Sequence, residues 1–345
     1  RYKNMSEIPR GAIRFNTDSN RVEVWNGSVW GEMQLSTPNL GRSVDTEPGA
    51  RGIYFGGFSP SPSPTFFGDI DYFNIASTGD AVDFGTLTTS RGDGAAMSSR
   101  TIGVYAGGYN PTAQTTMEQV VIASTGSVSS FGSMGTARFN LAGLANATRG
   151  VFAGGREPAY SNEIEYITIA SGGASIDFGV NLPTARRKMG ACASPTRGIF
   201  GGGYLDSPAT TFTQINFITI ASTGSIDEFG DLVVASQSTT ACSNATRGLF
   251  GGRQDPGSSL NTIDYITIAS TGNATNFGDL TLAKHHVSGS ASSTRALWGG
   301  GLQPTAVNTI DYNEIATQGN SIDFGDVTTQ AKGMMGGCSN GHGGL

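Results

Sequence analysis

The stretch Ile263-Asp-Tyr-Ile-Thr-Ile-Ala-Ser-Thr-Gly-Asn-Ala-Thr-Asn-Phe-Gly-Asp-Leu280 decides how this chain is read. Its first half is rich in β-branched and aromatic residues, which favour a pleated surface. Thr271-Gly272 is a turn signal, and the second half returns as a strand carrying Phe277. The same wording recurs along the chain. Ile-Ala-Ser stands at 75–77, 122–124, 169–171, 220–222 and 268–270, and returns as Ile315-Ala316-Thr317. A Phe-Gly pair follows each copy, at Phe84, Phe131, Phe178, Phe229, Phe277 and Phe324. A glycine doublet precedes each: Gly56-Gly57, Gly107-Gly108, Gly154-Gly155, Gly202-Gly203, Gly251-Gly252 and Gly300-Gly301. The period is about 48 residues, in the range of solenoids, propellers and arrays.

Working outward within one period yields four short strands. In the fourth copy, Lys188–Ser194 is a strand of small residues, turned by Pro195-Thr196. Arg197–Gly201 is the second strand, stopped by Gly202-Gly203. A polar loop from Tyr204 to Thr213 leads to the third strand, Gln214–Ala221, which is apolar on both faces. Thr223-Gly224 turns into the fourth, Ser225–Leu232. Four antiparallel strands per unit make a propeller blade. Gly, Ala, Ser and Cys suit the innermost strand, where blades crowd the axis, and the single large Phe of each repeat is expected to pack between blades. The inner-strand wording precedes copies two to six and appears once more at Lys332–Asn340. The C-terminal strand is therefore expected to complete the first blade beside Ile53–Gly57, leaving no open sheet edge. The fold class that follows is all-β, a six-bladed propeller of four-stranded blades over residues 50–345.

The first forty residues read differently. Gly11–Asn20, Arg21–Trp25 and Ser28–Trp30, with Asn26-Gly27 as a hairpin turn, form a small β-meander over 1–33. Its apolar face is too small to stand alone. Phe15, Trp25 and Trp30 are the expected docking residues. Residues 34–49, with Pro38 and Pro48, read as a linker.

Composition agrees and excludes. Of 345 residues, 51 are Gly and only 14% are charged, while the net charge of -6 argues against a nucleic-acid partner. No apolar run reaches the length of a membrane span. No secretory signal is visible at the start, although the chain begins at Arg1 rather than Met. Cys192, Cys242 and Cys338 occupy equivalent repeat positions, so they read as small buried residues rather than disulfide partners or metal ligands. Neither metal nor cofactor is expected.

The landmarks resemble a degenerate kelch repeat. Kelch blades close the second strand with a glycine doublet and carry an aromatic in the third; here that aromatic is Tyr72, Tyr166, Phe217, Tyr265 and Tyr312, with Val120 or Val121 replacing it in the second copy. The kelch tryptophan of the fourth strand is replaced by the Phe of Phe-Gly. The wording of 263–280 is similar to repeats in tail-fibre-like virion proteins of bacteriophages, especially marine cyanophages. Gly-x-Ile-Arg-Phe-Asn-Thr…Glu-x-Trp-x-Gly-x-x-Trp near the start resembles a short module of phage fibre and appendage proteins. The resemblance implies a virion location on tail fibre or capsid surface, docking to other virion proteins through the N-terminal module, and association with further copies of itself.

No catalytic constellation stands out, and the chain is not expected to be an enzyme. Arg91-Gly92-Asp93 reads as a solvated turn. Asp69, Asp71, Glu163, Glu165, Asp264 and Asp311 lie in register on the third strand, facing backbone or turn donors. His285 and His286 are expected on opposite faces of an inner strand. Asn146-Ala-Thr148 and Asn244-Ala-Thr246 mark bends, which Asn suits.

Variation concentrates elsewhere. The connections between second and third strands, 58–67, 109–116, 156–162, 204–213, 253–261 and 302–308, differ in every copy. Six different loops on one scaffold suggest a recognition face. Tyr109, Arg156, Tyr160, Tyr204, Arg253 and Gln254 are the candidate contacts to a host-surface glycan or protein. The expected function is non-covalent attachment; a capsid decoration without receptor role and a polysaccharide-degrading propeller enzyme are the alternatives.

Overall fold

The structure, a computed structural model, describes residues 11–16, 21–32, 50–61, 63–328 and 330–341. The expected linker over 34–49 lies outside the described residues. Every regular element among the described residues is a β-strand. The chain divides into two compact units, Arg1–Thr46 and Glu47–Leu345.

The first unit is a three-stranded antiparallel sheet of Ile13–Asn16, Arg21–Trp25 and Trp30–Glu32. Asn26 Oδ1 accepts from the N–H groups of Ser28 and Val29, which sets the turn. Register places Trp25 opposite Trp30, with ring centroids 5.5 Å apart. Arg14 lies over the Trp30 ring and pairs with Glu23 at 2.8 Å. Strand alternation separates the expected docking residues. Trp25 and Trp30 share a face with Arg14 and Glu23, whereas Phe15 stands on the other with Ile13 and Val24. Phe15 is 57% exposed.

In the second unit six four-stranded blades follow one another around a ring. Blade 2 is typical: Ala95–Ser98 innermost, then Ile102–Ala106, Thr116–Val121 and Ser129–Ser133. Blades 3 to 6 begin with the inner strands Ala142–Ala145, Gly190–Ala193, Thr240–Ser243 and Ser288–Ala291. Blade 1 takes its inner strand from the other end of the chain. Gly336–Ser339 pairs with Arg51–Ser59, Cys338 opposite Ile53, so the expected closure is observed.

Each blade buries its faces against its neighbours. Six apolar clusters fill the six wedges. The wedge between blades 1 and 2 joins Ile53, Phe55, Ile70 and Phe84 to Tyr105, Val120 and Ile122. Ring closure is sealed by the same chemistry: Leu297, Ile310 and Phe324 of blade 6 meet Tyr54, Phe73 and Ile75 of blade 1. The sequence reading placed one large aromatic per repeat in the wedge, and the structure adds a second. Tyr54, Tyr105, Phe152, Phe200, Phe250 and Trp298 occupy one position of the second strand, all with no exposed area. Trp298 also carries a polar N–H, which donates to Asn313 Oδ1 at 2.8 Å. Asn313 replaces the apolar residue that the other blades hold there, so the buried donor is satisfied.

The Phe-Gly and Thr-Gly landmarks are two halves of one contact. The turn N–H of each blade donates to the Phe carbonyl of the blade before it: Gly126 to Phe84, Gly173 to Phe131, Gly224 to Phe178, Gly272 to Phe229, Gly319 to Phe277, and Gly79 to Phe324 across the closure. At five of the six contacts, all but Gly179, the glycine after Phe is needed for this approach. A Cβ on Gly132 would lie 1.9 Å from the Gly173 carbonyl oxygen.

A second inter-blade tie was not legible from the landmarks. Arg51, Arg149, Arg197, Arg247 and Arg295 open the second strands, and each guanidinium donates to the carbonyl of the Ile that follows the third strand of the next blade. Each also lies over the third-strand aromatic of its own blade, at 4.2–5.0 Å. Blade 2 lacks both partners. Register puts Ile102 at the arginine position and Gln119 at the aromatic position, so Gln119 rather than Val120 or Val121 is the replacement.

Two further readings are corrected. The loop after Gly202-Gly203 is not irregular: Tyr204–Asp206 pairs with the start of Ala209–Thr219, which lengthens the third strand into a hairpin. In blade 5 the doublet is shifted by one. Gly251 ends the second strand, as Gly201 and Gly299 do, so Gly252 and Arg253 hold the two doublet positions.

Because the inter-blade hydrogen bond requires backbone contact, Gly132→Ala is expected to destabilise by about 2–3 kcal/mol. Gly179→Ala, where the nearest atom is 3.7 Å from the added Cβ, is expected to cost less. Denaturant titration of both variants checks the order, and equal losses would contradict it.

Candidate functional site

The connection from the fourth strand of one blade to the inner strand of the next is held by a buried ion pair. Arg91 meets Glu118 at 2.7 Å, Arg138 meets Glu165, Lys284 meets Asp311 at 3.2 Å, and Lys332 meets Asp71 at 2.9 Å. The carboxylates stand on third strands, as expected, but they face cations as well as turn donors. Five third-strand carboxylates also accept from the end of the previous blade, through Thr88 on Glu118, Gly135 N–H on Glu165, Val233 N–H on Asp264, Thr281 on Asp311 and Thr328 on Asp71. In blade 4 Asn216 replaces the acid and accepts from Arg186 at 2.6 Å; without a carboxylate, burial lowers Arg186 to about 10.

These pairs overturn two readings. Arg91 is 1% exposed, so Arg91-Gly92-Asp93 is an internal anchor and not a solvated turn. Arg253 is not a surface contact either. Blade 5 has Ser236 where the other blades carry the cation, and Arg253, fully buried, reaches Asp264 at 2.7 Å from the doublet position. Removing one member of a buried pair strands its partner's charge. Arg253→Gly is therefore expected to lose about 3 kcal/mol, and adding Ser236→Arg to recover most of it. Thermal and denaturant unfolding of the single and double variants measure this, and no recovery would contradict the exchange.

Two residues beyond each anchoring cation position, the backbone turns left-handed. The residues are Asp93, Asn140, Lys188, Ser238, His286 and Met334, with φ of 61°, 54°, 60°, 53°, 53° and 58°. Such a conformation costs a non-glycine residue on the order of 1 kcal/mol, less for Asn and Asp. Backbone bonds link them around the axis: Asn140 N–H to Asp93, Lys188 N–H to Asn140, Met334 N–H to His286 and Asp93 N–H to Met334. Between blades 5 and 6 the link is instead Ser238 Oγ to His286 Nε2, 3.2 Å. This ring is the mouth of the axial shaft. Below it the small inner-strand residues line an upper space of ≈ 140 Å³ and a lower one of ≈ 80 Å³.

Beside the ring is a cavity of ≈ 250 Å³. One wall is aromatic. Phe58, Phe66, Tyr109 and Phe139 run in sequence with centroids 4.8, 5.9 and 4.9 Å apart, all partly exposed. The other wall carries Arg187, Lys188, Asn140 and His286. A larger cleft on the same face, ≈ 460 Å³, is lined mostly by hydroxyl and small side chains such as Ser59, Ser61, Ser63, Thr65 and Thr305.

Of the candidate contacts, Arg156, Tyr160 and Tyr204 come together around Asp206, a residue not singled out from sequence. Asp206 accepts from Arg156 at 2.8 Å and from Arg187 at 3.0 Å, and its N–H donates to Tyr160 Oη at 3.0 Å. Arg187 lies 5.8 Å from both the Tyr160 and Tyr204 rings. Tyr109 joins the aromatic wall. Gln254 does neither; its backbone bridges Gln237 in blade 5. Phe58, Phe66, Phe139, Asn140, Arg187 and Lys188 were not singled out from sequence. The available signal was that one repeat position holds Asp, Asn, Lys, Ser, His and Met in turn.

The histidines stand ahead of the inner strand, not on it. His286 lines the mouth, while His285 bridges Leu302 and its Nδ1 shares a 2.8 Å hydrogen bond with Ser259. Asn146 and Asn244 sit at bends as expected, each Oδ1 accepting from the N–H groups two and three residues on. Burial pushes Asp93 up to about 6, against the pull of Lys188, Arg187 and a hydrogen bond from Asn140. Burial and then Lys188 lower His285 to about 4, and burial holds His286 well below its ordinary value.

No protein-family model matches the chain, and no curated protein matches it.

A histidine lowered in the folded state binds fewer protons there than when unfolded. Its contribution is present above about 6.5 and is lost as pH falls through about 4. Asp93, raised, acts in the opposite sense between about 4 and 6. In an NMR titration the His285 imidazole is expected to stay neutral at pH 5 and to protonate near 4. Protonation above pH 6 would contradict the burial argument.

Proposed function

We propose that this chain is a bacteriophage virion structural protein, a fibre or appendage component whose propeller head attaches the particle to a host-surface glycan without covalent chemistry. The observation that carries the reading is the aromatic wall Phe58–Phe66–Tyr109–Phe139 set against Arg187 and Lys188 at the axial mouth. Sugar rings present apolar C–H faces that lie against aromatic rings, and their hydroxyls suit amide and cationic donors. Phe58, Phe66 and Tyr109 belong to second-to-third-strand connections that differ in every repeat, Phe139 to the neighbouring fourth-to-first connection, and the scaffold beneath them repeats. That is the division expected where one framework carries changeable recognition. The likeness of 263–280 to phage fibre repeats supports the virion setting. The N-terminal sheet, with Ile13, Phe15 and Val29 more than half exposed, is assigned the contact to other virion proteins. Several copies per particle would convert weak single contacts into firm attachment.

Mass spectrometry of purified virions is expected to find the protein among the structural components. On a glycan array the fluorescently labelled chain is expected to bind a restricted set of glycans. Phe139→Ala or Tyr109→Ala is expected to reduce that signal at least tenfold. An array signal indifferent to both changes would remove the reading, and release of reducing ends from bound polysaccharide would replace attachment with catalysis.

A further inference from the structure

The mouth of the shaft holds side chains whose presence the fold does not require. Six backbone-equivalent residues adopt the left-handed conformation, which glycine takes without strain. The chain is rich in glycine and places it on both sides of Asp93, at Gly92 and Gly94, yet not at Asp93 or at any of the other five positions. Strain kept together with a side chain points to use of that side chain. The six differ chemically, so a purely structural, repeated role does not account for them.

We propose that this ring and the aromatic wall beside it bind one acidic sugar residue of a surface polysaccharide, Lys188 facing the sugar carboxylate and Phe139 and Tyr109 facing the apolar side of the ring. The proposal deepens the attachment reading above and rests on it. Charge is the first argument. Arg156 and Arg187 are both held by Asp206, and Arg187 also donates to Asn140 at 3.0 Å. Lys188 has no ion-pair partner among the described residues, although it lines both the mouth cavity and the shaft. The three cations Arg156, Arg187 and Lys188 face two carboxylates, Asp93 and Asp206, which leaves the mouth positive on a chain of net charge -6. Asp93 and Asp206 act on Lys188 only at longer range, and a half-buried ammonium that no carboxylate touches is stabilised further by an anion that brings hydrogen-bond acceptors. Polar chemistry is the second. Asp93, Asn140, Ser238 and His286 offer mixed donors and acceptors, and the buried Nδ1 of His286 has no hydrogen-bond partner. Size is the third: ≈ 250 Å³ is below the usual range for drug-sized ligands, so it suits a single ring and not a chain.

Calorimetry of the whole chain against hexuronate trisaccharides (galacturonate, glucuronate, mannuronate and guluronate) and their neutral counterparts tests this. At least one acidic trisaccharide is expected to bind ten times more tightly than its neutral equivalent. Lys188→Gly is expected to weaken that binding at least tenfold with an unchanged or higher melting temperature, since glycine relieves the strained backbone. Should that variant fail to fold, Lys188→Met removes the charge and keeps the bulk, and the same tenfold loss is expected. Equal binding of acidic and neutral sugars, no binding to any acidic member, or full affinity in the Lys188 variants would overturn the inference. Neutral-glycan binding that disappears in Phe139→Ala would overturn it while leaving glycan attachment standing. Array binding indifferent to Phe139→Ala would remove both.

Discussion

The hydrogen bond from a turn glycine to the Phe carbonyl of the preceding blade organises the molecule, because it can form only between backbones in contact. Each blade is a short sheet, apolar on both faces, with too little surface to be stable alone. It must meet a neighbour on each side, and the approach is limited by the bulkiest atoms at the edge. Glycine at both ends of the contact removes that limit. The Phe side chains and the second-strand aromatics then fill the wedge, and the arginine that opens the second strand spans to the next blade. Both kinds of tie join one blade to its neighbour around the ring, so the sixth blade needs the first. The C-terminal strand and the Gly79–Phe324 bond meet that need together.

Buried ion pairs add a second layer of order. In four inter-blade connections a buried cation meets the carboxylate of the following third strand. The exceptions show that the constraint is electrostatic rather than positional. Blade 4 keeps its arginine and substitutes an amide acceptor; blade 5 loses the connection cation and regains one from the doublet. In both the buried polar group still has a partner, as its desolvation demands. With its base fixed in this way, the connection can hold a strained left-handed residue at the mouth of the shaft. The recognition chemistry proposed here therefore stands on a rigid footing.

The small inner strands and the large rim loops follow from one geometric fact. Near the axis six backbones converge and leave room for Gly, Ala, Ser and Cys; at the loop face they diverge and leave room for Phe66, Tyr109 and Arg187. A narrow shaft lined by small residues thus opens into a wider mouth lined by large ones.

The repeat by itself determined the all-β class, the four-strand blade, the count of six and closure by Gly336–Ser339, because these depend on periodic residue types and on sheet edges needing partners. It also located the variable face. Only the tertiary structure decided which residues occupy the mouth, because Phe58, Phe139, Arg187 and Lys188 come from three segments spread over more than a hundred residues. It alone showed that Arg253 points inward, since a one-residue shift in the glycine doublet is invisible until the strand register is known. The N-terminal docking set was divided for the same kind of reason: composition names aromatic residues, but strand parity assigns Phe15 to one face and Trp25 and Trp30 to the other. Local pattern governs which elements form, and long-range register governs which side chains meet.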